Sequence, residues 1–79
     1  MTPQEAFVQI ARIISAQLSV LETSITRETT ADDVPGWDSI THVYIVLEIE
    51  RKLGIKLPAD EVFSLANVGE LADLATKNP

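Results

Sequence analysis

The sequence predicts an all-α fold: a small four-helix bundle of three main helices with a short third helix in chain order. Three observations carry that prediction. Apolar residues recur at steps of three and four in three separate stretches, the spacing that lines one face of a helix. Each stretch opens on a residue suited to cap a helix start. Between the stretches, Pro, Gly, Thr, Ser and Asp interrupt every period.

The first helix starts at Thr2-Pro3-Gln4-Glu5, a capping threonine, a proline at the first helical position and a glutamate placed to return a hydrogen bond to the cap. Phe7, Ile10, Ala11, Ile14, Leu18 and Leu21 form its stripe, widened by Ile13, and the helix is expected to end between Leu18 and Glu22. From Thr23 to Trp37 the composition turns polar, with isolated apolar residues Ile25, Ala31 and Val34. A connection of this length is either functional or disordered, and the apolar anchors Ile25, Val34 and Trp37 favour an ordered loop packed over the helices.

The second helix is expected from Ser39 to about Leu53, with Gly54 as its stop. Its stripe reads Ile40, Val43, Val46, Leu47, Glu50 and Leu53, broadened by Ile45 and Ile49, while His42 and Tyr44 fall near the solvent edge. Pro58 with Ala59-Asp60-Glu61 sets up the brief third helix through Val62, Phe63 and Leu65. Asn67 caps the fourth, with Glu70 as the reciprocal member of a capping box, Val68, Leu71, Leu74 and Ala75 inward, and Lys77 at the negative end of the dipole. The core is thus expected from Phe7, Ile10, Ile14, Val43, Leu47, Leu71 and Leu74.

Length and composition bound the function. Seventy-nine residues make a single domain, 1–79, burying about 60–65% of the surface its unfolded chain exposes and leaving no room for a separate substrate domain. Twelve acidic against six basic residues give a net charge of −6, which argues against nucleic acid and for protein partners with basic faces. Cysteine is absent, so there is no disulfide, thiolate metal site or thiol nucleophile, and any thiol must arrive on a cofactor. The first residues lack a signal peptide's basic start and apolar run, and Val43–Leu47 is far below a membrane span, so a cytoplasmic monomer with no membrane association is expected.

The stretch Val34-Pro35-Gly36-Trp37-Asp38-Ser39-Ile40 organises the chain. Pro35 and Gly36 turn the backbone sharply before Asp38, a helix cap, and Ser39 takes the first helical position. A phosphate on its oxygen would lie beside unpaired amides and the positive end of the dipole. Trp37 either packs into the core or lines an opening beside Ser39.

Asp38-Ser39-Ile40 at a helix start, after a long loop and ahead of Leu53-Gly54-Ile55, resembles the modification site of acyl carrier proteins and related peptidyl carrier domains. The resemblance covers nearly the whole chain. It implies that Ser39 is esterified by 4′-phosphopantetheine, taken from coenzyme A by a phosphopantetheinyl transferase. The arm's thiol would then hold acyl or aminoacyl thioesters supplied by a loading ligase and passed to downstream synthases and transferases, with no catalysis by the chain itself. Two other readings stand beside it. Asp38, Ser39 and His42 supply the residue types of a hydrolase triad, although a capping Asp38 faces backbone amides and no second loop offers an oxyanion hole. An acidic helical protein-interaction adaptor without a prosthetic group would explain the charge but not the turn before Ser39.

The second helix departs from the strongly acidic one usual in fatty-acid carriers: its surface reads Thr41, His42, Tyr44, Glu48, Arg51 and Lys52, with Glu50 the other acid. The partner surface is therefore expected at Trp37, Ile40, Tyr44 and Glu48, in a specialised pathway rather than general fatty-acid synthesis.

Overall fold

The computed structural model describes residues 1–77, and among these the regular elements are all helical. Helix α1 spans Pro3–Leu18, α2 Ser39–Leu53, α3 Ala59–Val62 and α4 Val68–Lys77, with 3₁₀ turns at Glu22–Ser24 and Ala31–Asp33 in the long loop. Helix α1 packs on both α4 and α2, so the core lies between three helices. Its fully buried large side chains are Ile10 and Ile14 from α1, Ile45 and Ile49 from α2, and Val68 and Leu71 from α4.

The register of α2 corrects the sequence expectation. Val43 is 40% exposed and Leu47 55%, whereas Ile45 and Ile49 are fully buried. At about 100° per residue, Ile45 and Ile49 stand roughly opposite Val43 and Leu47 on the helix. The helix thus carries two apolar stripes, and spacing alone does not choose between them. Neighbours do: α1 covers one side, while the four-residue α3 is too short to cover the other. Val43 and Leu47 instead border a shallow groove with Ala59, Val62 and Phe63.

Other details differ from expectation for local reasons, although α1 ends within its expected range. Helix α1 stops at Leu18, with Ser19 in the left-handed region at φ 57°, so Leu21 lies beyond the helix and is exposed. Helix α3 ends at Val62, leaving Phe63 exposed and Leu65 half-buried. Phe7 is half-buried against the core. Asn67 Oδ1 accepts from Glu70 N (2.9 Å), but the Glu70 carboxylate accepts from Ala66 N (2.8 Å), one residue before the cap expected to receive it.

The long loop is ordered because it completes α4. Val68 N donates to Thr29 O (2.9 Å) and Gly69 N to Arg27 O (2.8 Å), so the loop's carbonyls take two amides at the helix start that have no partner within the helix. Buried Thr29 closes the Thr26–Thr29 turn by accepting from Thr26 N (2.8 Å). The Arg27 guanidinium reaches Gly69 O and the Asp73 carboxylate. A Cβ on Gly69 would lie 3.0 Å from Arg27 O, so any larger residue would press the loop outward by a few tenths of an ångström. Ile25 and Val34 bury the loop's apolar side.

Two measurements check this architecture. Ile49→Ala should destabilise by about 2–4 kcal/mol, as expected for a large core side chain, whereas Leu47→Ala should cost about 0.5 kcal/mol or less. Equal losses in urea unfolding would refute the register. Acid is the second probe. Glu5, Asp33 and Asp38 each accept from backbone amides at a helix or turn start, principally those of Thr2, Thr30 and Thr41, and their carboxyls are held below the usual values. A depressed folded-state pKa contributes stability that is present above the ordinary carboxylate range and lost as pH falls through the folded value. The melting temperature should therefore fall below about pH 4 as these carboxyls protonate, and Asp38→Asn should flatten part of that fall.

Candidate functional site

The turn before α2 is built from the backbone outward. Val34 is buried, Trp37 N donates to Val34 O (3.2 Å), and Gly36 adopts φ 86°, a conformation that a side chain would strain. Asp38 then caps α2: Oδ1 accepts from Ile40 N and Thr41 N, both at 2.9 Å. Thr41 Oγ1 accepts from Asp38 N (2.8 Å) and donates to Gly36 O (2.8 Å), fastening the helix start to the turn. Together these bonds fix where α2 begins, and hence that Ser39 is its first residue.

Ser39 is exposed, and among the described residues its hydroxyl has no hydrogen-bond partner. The expectation of several free amides beside it narrows, because Asp38 already holds those of Ile40 and Thr41. Ser39's own amide is the one left for a neighbouring anion. The exposed hydroxyl beside a free amide fits a phosphodiester, with Asp38 serving to build the helix start rather than to bind the phosphate.

A cleft of about 260 Å³ opens beside Ser39, lined among others by Trp37, Asp38, His42, Val62 and Phe63. Trp37 fulfils both roles weighed for it, since it packs on the core and lines this cleft. Its ring stacks on His42 with centroids 6.0 Å apart, and its Nε1–H donates to His42 Nδ1 (3.0 Å). His42 Nε2 lies 2.8 Å from Val62 O, and Phe63 packs on the imidazole at 5.2 Å. The structure does not assemble the hydrolase triad: both imidazole nitrogens are engaged by Trp37 and Val62, and the Asp38 carboxylate by backbone amides. Among the described residues no cluster of His, Asp or Glu is arranged to hold a metal ion, and no helix is long and apolar enough to cross a membrane.

Of the expected partner residues, Ile40 is 66% and Tyr44 58% exposed, on one edge running away from Ser39. Glu48 is different. Arg51 grips its carboxylate with two nitrogens at 3.0 and 2.8 Å, holding it below the usual carboxylate range. Glu50 accepts from Leu57 N at 2.7 Å, so the second acid of α2 is also bound internally.

Sequence reading missed two sets of residues here. Val43, Leu47 and Phe63 extend the apolar surface beside Ile40 and Tyr44; their signal was an α2 apolar over more than half its circumference. The inward contacts of His42 were also missed, although His42, Ile45, Val46 and Ile49 share a helical spacing of three and four.

Comparison with known proteins finds relatives over nearly the whole chain. The family model for the phosphopantetheine attachment site matches residues 8–75. An acyl carrier protein of Guillardia theta is 30% identical over 98% of this chain and 95% of its own length. One of Lactobacillus johnsonii is 33% identical over 92% of this chain and 91% of its own. The structure of the acyl carrier protein from Enterococcus faecalis superposes with a TM-score of 0.80 at 28% identity, covering both chains completely. The chain belongs to the acyl carrier protein family, whose members are carriers of covalent 4′-phosphopantetheine rather than catalysts.

Proposed function

We propose that Ser39 is the residue that takes the arm, and that residues 1–79 act as one carrier domain. The supporting observation is the contrast among the serines. Ser15, Ser24 and Ser64 donate their hydroxyls to backbone carbonyls of Val20, Leu21 and Glu61, and Ser19 terminates α1. Ser39 is exposed at a helix start with its hydroxyl unengaged among the described residues. The arm supplies a thiol that holds cargo as a thioester, and the chain supplies the rigid turn that presents it. A phosphopantetheinyl transferase installs the arm, an acyl- or aminoacyl-loading ligase charges it, and synthases and transferases receive the cargo from a cytoplasmic monomer.

The partner surface in this reading is apolar. Ile40 and Tyr44 begin it beside Trp37, Val43 and Leu47 continue it, and Glu48 serves mainly to hold Arg51. Enzymes that find carriers through an arginine and lysine patch meet α2 acids already engaged within the domain, and meet the cations of Arg51 and Lys52. This supports a dedicated pathway, because recognition must rest on shape and apolar contact rather than on steering.

Incubation with coenzyme A, Mg²⁺ and a broad-specificity phosphopantetheinyl transferase should add the mass of one phosphopantetheine. Ser39→Ala should abolish that gain while changing the melting temperature little, since an exposed hydroxyl contributes little to stability. Modification at another serine would defeat the assignment. For the partner surface, general fatty-acid enzymes should load or elongate the native holo-protein poorly, and Arg51→Glu/Lys52→Glu should improve them by about tenfold, the effect of steering regained. Native activity equal to that of a fatty-acid carrier, with no gain in the double variant, would remove the support for a dedicated partner.

A further inference from the structure

His42 is the one histidine of the chain and Trp37 the one tryptophan, and their contact fixes a proton. An indole N–H can only donate, so the His42 Nδ1 that it meets at 3.0 Å must accept. A carbonyl oxygen can only accept, so the His42 Nε2 at 2.8 Å from Val62 O must carry the hydrogen. Just one form satisfies both contacts, the neutral Nε2–H tautomer. In that form the imidazole links three parts of the molecule: the turn residue two before Ser39, the first full turn of α2, and the last residue of α3.

We infer that His42 is a positioning residue that ties the Ser39 turn to the end of α3, and that protonation of its ring releases the turn from this tie. The inference rests on Ser39 as the attachment point. Protonation puts a hydrogen on Nδ1 facing the Trp37 N–H, two donors with no acceptor between them, while the bond to Val62 O survives. Trp37 is half-buried, so it must shift to find a new partner. Asp38 and Ser39 follow it directly, and the cleft beside Ser39 is walled by both rings.

The surrounding charges do not replace the lost bond. Asp38 lines the same cleft, but its carboxylate is held by the Ile40 and Thr41 amides. Asp60 and Glu61 lie on α3, and Glu70 on α4 is held by Ala66 N. The small cavity on the other side of His42 and Trp37 is lined by Thr29, Ala31, Leu65, Ala66, Asn67 and Leu71, none of them ionisable.

The test uses the full chain labelled with ¹⁵N. Imidazole nitrogen shifts at pH 7.5 should report the Nε2–H tautomer. Acidification to pH 5.5 should move the Trp37 indole N–H and the Ser39 amide together with the His42 signals. In parallel, phosphopantetheine transfer is timed for the native chain and for His42→Gln, which can still donate to Val62 O but does not titrate. The ratio of the two rates should fall by about fivefold from pH 7.5 to 5.5, the fold-change of one ordinary hydrogen bond, and the transferase's own pH dependence cancels in it. An Nδ1–H tautomer, a Trp37 or Ser39 signal that stays fixed while His42 titrates, or a flat ratio overturns the inference. If His42→Gln fails to fold, the native titration decides alone. Attachment at another residue, with the coupled shifts intact, overturns the Ser39 reading and leaves the positioning of the turn standing.

Discussion

The molecule depends on where α2 begins. One carboxylate oxygen of Asp38 holds two amides of the first turn, and Thr41 answers by accepting from Asp38 N and donating to Gly36 O. A start fixed at Ser39 sets the rotation of every later residue. Ile45 and Ile49 then point into the core, His42 points at Trp37 and α3, and Ile40, Tyr44 and Leu47 are left outside. Moving the start by one residue would turn the helix by about 100°. Ile45 and Ile49 would leave the core, and a different side chain would stand where Ser39 does. The position of Ser39 and the core are therefore set by the same cap.

The loop ahead of that cap is held by a second set of helix-end bonds. The stretch from Thr23 to Trp37 contains only short 3₁₀ turns and loses much conformational entropy on ordering, so it needs contacts that a shorter connection does not. Here the contacts are amides of α4 that would otherwise lack partners. Thr29 O and Arg27 O satisfy Val68 N and Gly69 N, and Arg27 adds its ion pair with Asp73. The loop and the last helix stabilise each other, and the turn at Pro35-Gly36 inherits a fixed base.

Much of this was legible in the sequence because it is local. Thr2 with Glu5, Asp38 at the α2 start, Gly54 at its end and Asn67 before α4 are cap chemistry, which acts over a single helical turn. The all-helical bundle and the place of Ser39 follow from those signals. The side of α2 that is buried was not legible, because Ile45-Ile49 and Val43-Leu47 have the same spacing and the choice depends on neighbours distant in sequence. The same holds for His42, whose partners are Trp37, five residues before it, and Val62, twenty after it. The seat of Arg27 on α4 joins residues 46 apart and left no trace in any periodicity.

The charge of the chain is also unevenly placed, and this bears on how partners meet it. The net charge is −6, yet α2 carries Glu48 and Glu50 against Arg51 and Lys52, and both acids are bound within the domain. The acids outside α2 include Glu28, Asp32, Asp33, Asp60, Glu61, Glu70 and Asp73, on the loop, α3 and α4. Long-range attraction to a basic enzyme is thus available to the domain as a whole, but it is not focused on the helix that bears Ser39. At physiological salt such attraction fades within about 8 Å, and the surface of α2 itself offers exposed apolar groups, Ile40, Val43, Tyr44 and Leu47. In the proposed reading, charge brings a partner to this domain, and Ile40, Tyr44 and Leu47 hold it beside Ser39.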